Sequence, residues 1–330
     1  MALRYDGRVA IVTGAGNGIG KQYAMMLASR GAKVVVNDLG GAMNGEAGGA
    51  SGGERPADAV VREIRAAGGE ATANYDSVEF GDKIVATAVG AYGRVDIVIN
   101  NAGILRDVSF HKMTARDWDL IYTVHLKGSY TVCRAAWPYM RENRFGRIVN
   151  ITSSAGLYGN FGQANYSAMK LGLLGLSNTL AKEGAKRGIQ VNTVAPFAGS
   201  RMTATIMPPE MLQALRPEYI APVVAYLVHE SCPDSGNVFE VGGGWIAQVR
   251  QQRAAGAMIP VHAGVTPEMV EAHWSAVGDF EAEGMNFPVN PNDAFGSIMQ
   301  NLQNSKEAAE KAAASGDGGG GGSGSCSGSN

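Results

Sequence analysis

The sequence predicts an α/β fold: a doubly wound, seven-stranded parallel sheet followed by a C-terminal appendage. Two observations lead there. Short β-branched runs alternate with helix-length segments, and such runs are apolar on both faces, as strands covered by helices on both sides are. The first run also ends in a glycine-rich turn, Thr13-Gly14-Ala15-Gly16-Asn17-Gly18-Ile19-Gly20, that opens a helix, which is the first strand-to-helix connection of a doubly wound sheet.

The strands are expected at Arg8–Thr13, Lys33–Asp38, Glu70–Tyr75, Val95–Asn100, Arg147–Thr152, Gln190–Val194 and Asn237–Val241, with right-handed crossovers between them. Gly40–Gly53 is too long and glycine-rich for an ordinary connection and reads as a flap or an insert. Long helical segments are expected at Thr114–Asn143 and Gln163–Arg187. Residues 1–241 thus form a dinucleotide-binding catalytic domain, and 242–303 an extension packed on it, with Trp245, Trp274, Phe280, Phe287 and Phe295 among modest helical signals. Residues 304–330 read as a Gly/Ser-rich linker or tail that cannot bury enough apolar surface to offset its ordering entropy.

Composition narrows the function. A net charge of −2 provides no global field for nucleic acid or an acidic membrane, so any anion must be held locally. Cys133, Cys232 and Cys326 have no metal-ligand spacing and suit a reducing compartment, and His111, His229, His262 and His273 show none either; no metal site is expected. No apolar run reaches the ~18 residues of a spanning helix, and the N-terminus lacks a secretory core, so a soluble intracellular protein is expected.

The chemistry is carried by Tyr166 and Lys170. At i and i+4 of a helix they share one face, which places an ammonium beside a phenol of ordinary pKa ~10. At ~4 Å and an effective dielectric of ~20 that contact is worth ~4 kcal/mol. Tyr166 is therefore expected to be acidified enough for proton exchange near neutrality. Gly14, Gly18 and Gly20 leave room for a pyrophosphate on backbone N–H groups at a helix N-terminus. Asp38, ending the second strand, can accept from a ribose 2′-hydroxyl. With no Arg or Lys in Val34–Gly53, NAD is expected over NADP. Asn101-Ala102-Gly103 offers a tight passage for backbone to approach a cofactor and also serves as a strand-terminating turn, and Asp76 can accept from an adenine amino group.

These residues, in this order and with Ser153, resemble the short-chain dehydrogenase/reductase family. More narrowly, Val36–Gly41, Asn101–Asp107, Tyr158–Tyr166 and Ala198–Thr203 resemble the (3R)-hydroxyacyl-CoA dehydrogenase unit of peroxisomal multifunctional enzyme type 2, over about residues 3 to 300. The resemblance implies that Tyr166 takes the hydroxyl proton of a (3R)-3-hydroxyacyl-CoA while hydride passes to NAD, as in fatty-acid β-oxidation. It implies that Ser153, 13 residues before Tyr166, orients the substrate oxygen, with Ser154 as its rival. Lys170 and Tyr166 also contact the cofactor, together with Asn17, Ile19 and Ser77. Pro196 begins a segment that closes over the nicotinamide, including Ala198, Gly199 and Ser200. The family's asparagine in the helix after the fourth strand is replaced by His125, which stands either as a proton relay or as a structural histidine. Arg106, Arg201 and Arg250 are the candidates for holding acyl-CoA phosphates.

A homodimer and a downstream hydratase module are also implied, the chain being either a stand-alone form or a segment of a longer product. The resemblance points to the peroxisome, although Ser327-Gly328-Ser329-Asn330 is not a Ser-Lys-Leu-type address; the cytoplasm is the alternative. A hydroxysteroid or a 3-oxoacyl carrier-protein thioester remains an alternative substrate, and a non-catalytic NAD-binding scaffold the reading from another class.

Overall fold

The computed structural model describes residues 2–41, 44–45, 53–198, 215–262 and 264–316. The chain divides into two compact units, Met1–Val249 and Arg250–Asn330. The first is built on an eight-stranded sheet of order β3-β2-β1-β4-β5-β6-β7-β8: β1 Val9–Thr13, β2 Lys33–Asn37, β3 Glu70–Asn74, β4 Ile97–Asn100, β5 Gly146–Ile151, β6 Ile189–Pro196, β7 Val238–Gly242 and β8 Trp245–Val249. Strands β1 to β7 pair in parallel. The order reverses between β1 and β4, where doubly wound sheets bind ligands beyond the C-terminal strand ends.

Alternation along the strands shows why the runs carry apolar residues on both faces. In β1, Val9 and Ile11 pack into one buried cluster with Ile84, Val85 and Ile148. Ala10 and Val12 pack into the other with Leu27, Val60 and Val224. The helices supplying those residues include α1 Gly18–Ser29, α2 Pro56–Ala66 and α3 Gly81–Tyr92.

Three expectations about elements need correction. The sheet has eight strands rather than seven: Gly243 and Gly244, at φ 57° and 84°, turn the chain back so that β8 pairs antiparallel with β7. Two left-handed residues are what a tight hairpin requires, so Trp245 belongs to the sheet and the first unit extends to Val249 instead of Val241. The expected helix Thr114–Asn143 is divided into α4 Ala115–Ile121, a π-turn Tyr122–Lys127 and α5 Gly128–Asn143. After α6 Ser154–Tyr158, α7 Ala164–Gly184 ends in a 3₁₀ turn, Ala185–Arg187. The first unit also holds α8 Ala221–Leu227.

In the second unit, α9 Pro267–Val277 is capped by Thr266, whose hydroxyl accepts from the Met269 N–H at 3.3 Å. The last helix, α10 Phe295–Gly316, takes in residues 304–316, which were expected to be linker. Its Asn301 donates to the Ile259 carbonyl at 2.9 Å, and its Ser305 hydroxyl accepts from the Val261 N–H at 3.1 Å. Among the described residues no helix is long and apolar enough to cross a membrane.

Candidate active site

Beneath the C-terminal edge of the sheet lies a belt of buried asparagines. Asn37 and Asn74 are register partners on β2 and β3, and the Asn37 amide donates to Asn74 Oδ1 at 2.8 Å and to the Asp76 carbonyl at 2.9 Å. Asn100 and Asn150 are partners on β4 and β5, joined at 2.8 Å, and Asn150 continues to Ser177 of α7 at 2.8 Å. Buried amides of this kind are costly unless paired; paired across the sheet, they set the strand ends in register.

On this base the glycine turn is tied to the turn after β4. The Thr13 hydroxyl accepts from the Asn101 and Ala102 N–H groups at 3.0 and 3.1 Å, and the Asn101 amide donates to the Thr13 and Gly14 carbonyls at 3.1 and 3.0 Å. Asn101 is thus a staple. A Cβ on Gly14 would stand 2.8 Å from Ala102 Cα, and one on Gly20 would stand 2.3 Å from the Gly14 carbonyl oxygen. Asn17 precedes α1 in extended conformation without a side-chain cap bond, and the first turn of α1 has no acidic residue. That arrangement accepts an anion. Ile19 packs against the core.

Asp38 uses both carboxylate oxygens to hold backbone, accepting from Gly16 and Gly40 N–H at 2.8 Å each. A Cβ on Gly16 would stand 2.7 Å from Asp38 Oδ2 and 2.5 Å from Pro56 Cβ. Gly16 is therefore a site residue that the reading of Gly14, Gly18 and Gly20 passed over. The Asp76 carboxylate accepts from the Asn74 amide at 2.8 Å, and Ser77 caps the following 3₁₀ turn by accepting from Glu79 N–H at 3.4 Å. The cradle of glycines and the carboxylate at the second strand end fit a dinucleotide.

Ser153, Tyr166, Lys170 and His125 come together at the ends of β4 and β5. Ser153 caps α6, accepting from Ala155 N–H at 3.2 Å. It is Ser153, not Ser154, whose hydroxyl acts on the Tyr166 phenol to lower its pKa. Lys170 follows one turn along α7, its Nζ 5.5 Å from the centre of the Tyr166 ring. Gly156 permits the close approach of α6 to α7, since a Cβ there would stand 2.7 Å from Lys170 Cβ. Asn165, fully buried, donates to the Arg106 and Asp117 carbonyls at 3.2 and 3.1 Å and accepts from the Tyr166 N–H at 2.8 Å. It fixes the start of α7 to the segment after β4. Asn165 and Thr152, which donates to the Lys170 carbonyl at 2.6 Å, were not singled out from the sequence.

The expected acidification of Tyr166 by Lys170 is not what the geometry produces. Burial raises the phenol pKa, the Ser153 hydroxyl lowers it, and the Asp107 charge raises it further; the net direction is upward. Lys170 is only 4% exposed and donates to the Ile151 carbonyl at 2.6 Å. Its own burial lowers its pKa from 10.5 to about 7. Desolvation acts on both members of the pair and favours their neutral forms.

His125 lies in the π-turn. Its Nε2 is 2.8 Å from the Ile104 carbonyl oxygen and 3.1 Å from the Ile104 nitrogen. Burial, and then the charge of Lys170, hold its pKa well below the usual 6.5.

Of the expected closing segment, Pro196 ends β6, Phe197 N–H donates to the Val241 carbonyl at 2.7 Å, and Ala198 packs against the core. Gly199, Ser200 and Arg201 lie outside the described residues, as does Cys326. Arg106 is not a free cation for CoA phosphates, because its Nε lies 3.2 Å from the Asp117 carboxylate. The Arg250 guanidinium stacks 3.4 Å from the centre of the Phe287 ring. No cluster of potential metal ligands occurs among the described residues.

The family model for short chain dehydrogenase matches residues 8–210. The chain belongs to the short-chain dehydrogenase family. As a short-chain dehydrogenase it is an oxidoreductase working with a nicotinamide cofactor. It is 54% identical over 308 residues to peroxisomal multifunctional enzyme A of Dictyostelium discoideum, covering 93% of this chain and 68% of that protein. The structure of full-length peroxisomal multifunctional enzyme type 2 from Drosophila melanogaster is similar, with a TM-score of 0.77 and 43% identity over 92% of this chain and 50% of that one. A 7α-hydroxysteroid dehydrogenase complexed with NADH matches with a TM-score of 0.64 and 30% identity, over 73% of this chain and 95% of that one. This short-chain dehydrogenase spans 32–51% of the length of the other multifunctional relatives.

Proposed function

We propose that the chain oxidises (3R)-3-hydroxyacyl-CoA to 3-oxoacyl-CoA with NAD, as a step of fatty-acid β-oxidation in the peroxisome. The observation that carries the substrate class is the extent of the likeness. Similarity to peroxisomal multifunctional enzymes covers 93% of the chain, whereas the hydroxysteroid dehydrogenase matches only 73%.

In this reading a bound nicotinamide would supply the acceptor for the C3 hydride. Tyr166 removes the hydroxyl proton as phenolate and returns it as phenol in the reverse direction; Ser153 donates to the substrate oxygen, and Lys170 holds the ribose side of the cofactor. Because burial favours the neutral phenol, oxidation is faster at alkaline pH and reduction is supported near neutrality. Asp38 retains lone pairs for a ribose 2′-hydroxyl beyond its two backbone bonds, while a 2′-phosphate would meet its charge, which supports NAD over NADP. Gly14, Asn17, Gly18 and Gly20 would hold the pyrophosphate, with Asp76 and Ser77 towards the adenine.

We read the protein as a homodimer. Ala168, Leu171 and Gly175 are exposed along one stripe of α7, with Leu171 49% exposed and open space around Gly175. Such a stripe supports a close helix contact about a two-fold axis. A hydratase, as a downstream module or a separate protein, would supply the 3-hydroxyacyl thioester.

Steady-state rates with the 3R and 3S isomers of a 3-hydroxyacyl-CoA, each with NAD and NADP, test the proposal. Turnover of the 3R isomer with NAD is expected. Equal rates for both isomers, or turnover only of a hydroxysteroid or a carrier-protein thioester, would refute the substrate, and NAD binding without any turnover would favour a scaffold.

A further inference from the structure

The π-turn Tyr122–Lys127 places His125 where the family's asparagine is expected, and the ring is enclosed on three sides. Single π-turns re-aim a side chain relative to a regular helix and concentrate at functional sites. Tyr166 meets the imidazole edge to face, at 5.2 Å between ring centres and 83° between planes. Gly103 lies against its Cε1, so closely that a Cβ there would stand 2.6 Å away. Ile104 presents its carbonyl oxygen at 2.8 Å and its N–H at 3.1 Å to Nε2, and Nδ1 is buried without a hydrogen-bond partner among the described residues.

One nitrogen cannot donate to a carbonyl and accept from an amide at the same time. The shorter contact has Nε2–H donating to the Ile104 carbonyl, which leaves Nδ1 as a bare acceptor. A proton relay needs a partner at each ring nitrogen and a proton acceptor at its far end. Here Nε2, the nitrogen that donates, ends on a main-chain carbonyl that cannot carry the proton onward.

We infer that His125 is a positioning residue rather than a proton relay: it wedges between the Gly103–Ile104 backbone and the Tyr166 ring, anchored through Nε2 on Ile104. The inference rests on Tyr166 being the acid–base group. Charge agrees with it, since burial and Lys170 keep the imidazole neutral, so that it adds no second cation beside Lys170. The other groups facing the phenol are Ser153 at the N-cap of α6, Lys170 from α7 and Asp107 from the segment after β4. Asp107 is itself held at 2.8 Å by the Gln163 amide.

Two amides separate the roles, because a glutamine side chain reaches the position of Nε2 and an asparagine side chain reaches that of Nδ1. If His125 positions through Nε2, His125→Gln should keep kcat within about threefold, while His125→Asn and His125→Phe should each lose about tenfold or more, the scale of cost for a misplaced reacting group, with KM for NAD little changed. A relay through Nδ1 predicts the opposite order for Gln and Asn. The second readout needs no substrate: the ultraviolet titration of the Tyr166 phenol, taken as the difference between each protein and the same protein carrying Tyr166→Phe. His125→Gln should titrate like the wild type, and His125→Asn should depart from it. If wild type turns over no hydroxyacyl-CoA, the substrate proposal fails while this titration still decides the role of His125. Should His125→Asn fail to fold, the Gln and Phe variants make the same comparison. Wild-type kcat in His125→Asn or His125→Phe, or a His125→Gln titration displaced as far as either, would overturn the inference.

Discussion

Replacing Lys170 by methionine should abolish turnover and yet stabilise the fold at neutral pH, with the stabilisation fading as pH rises. The ammonium is 4% exposed, and burial lowers its pKa from 10.5 to about 7. Between those values the unfolded chain binds a proton that the folded chain does not, so the wild type gains stability as pH rises from about 7 towards 10.5, and as pH falls it loses that stability over the same window, the loss being complete below about 7. At ~1.36 kcal/mol per pKa unit, that gap corresponds to about 5 kcal/mol of destabilisation in acid. Methionine removes the charge at similar length but gives up the bond to the Ile151 carbonyl, which offsets about 1–2 kcal/mol. A net stabilisation of about 3 kcal/mol near pH 6.5 is therefore expected, shrinking to nothing or reversing near pH 10. Urea midpoints of both proteins across this range measure it, and the difference between them cancels every group they share. A difference that stays constant with pH, or a methionine variant less stable at neutral pH, would refute the claim that the site holds its lysine at the expense of stability.

Three further outcomes follow from the site. Asp38→Ala should narrow the kcat/KM ratio of NAD to NADP, and a wild-type preference for NADP would show that Asp38 does not face the ribose. Asp107→Asn should move the acid limb of the oxidation profile to lower pH, because the Asp107 charge raises the Tyr166 pKa; Asp107 is exposed, so the displacement should shrink in high salt, and an unmoved limb at low salt would contradict the coupling. Leu171→Asp should dissociate the proposed dimer in sedimentation experiments and lower kcat with it, while an active wild-type monomer at micromolar concentration would remove α7 from the interface.

Much of this architecture was legible because it is written in local, periodic signals. β-branched runs such as Val34–Val36 and Ile97–Ile99 mark strands covered on both faces, and the glycines after Thr13 and the carboxylate of Asp38 stand at fixed intervals from strand ends. Tyr166 and Lys170 are candidates found by spacing, since residues four apart on α7 share a face in any protein, whereas Ser153 was named only through the family resemblance. β8 was missed because Gly242-Gly243-Gly244 resembles the end of a domain until the antiparallel pairing of Trp245–Val249 with β7 is known.

The sequence by itself thus determined the seven parallel strands and the glycine turn after β1, and it named the candidate reacting groups. Tertiary structure alone decided how those groups are tuned and held. Asn101 staples Gly14 across 87 residues of chain, Asn37 finds Asn74, Gly16 is obliged by the approach of Asp38 and Pro56, and His125 meets Tyr166 through a π-turn. The same holds for Lys170, which sequence spacing places beside a phenol and the fold turns towards the Ile151 carbonyl. Spacing along a helix specifies which side chains are neighbours, but desolvation depends on everything packed around them, and that environment is assembled only when distant segments close over the site.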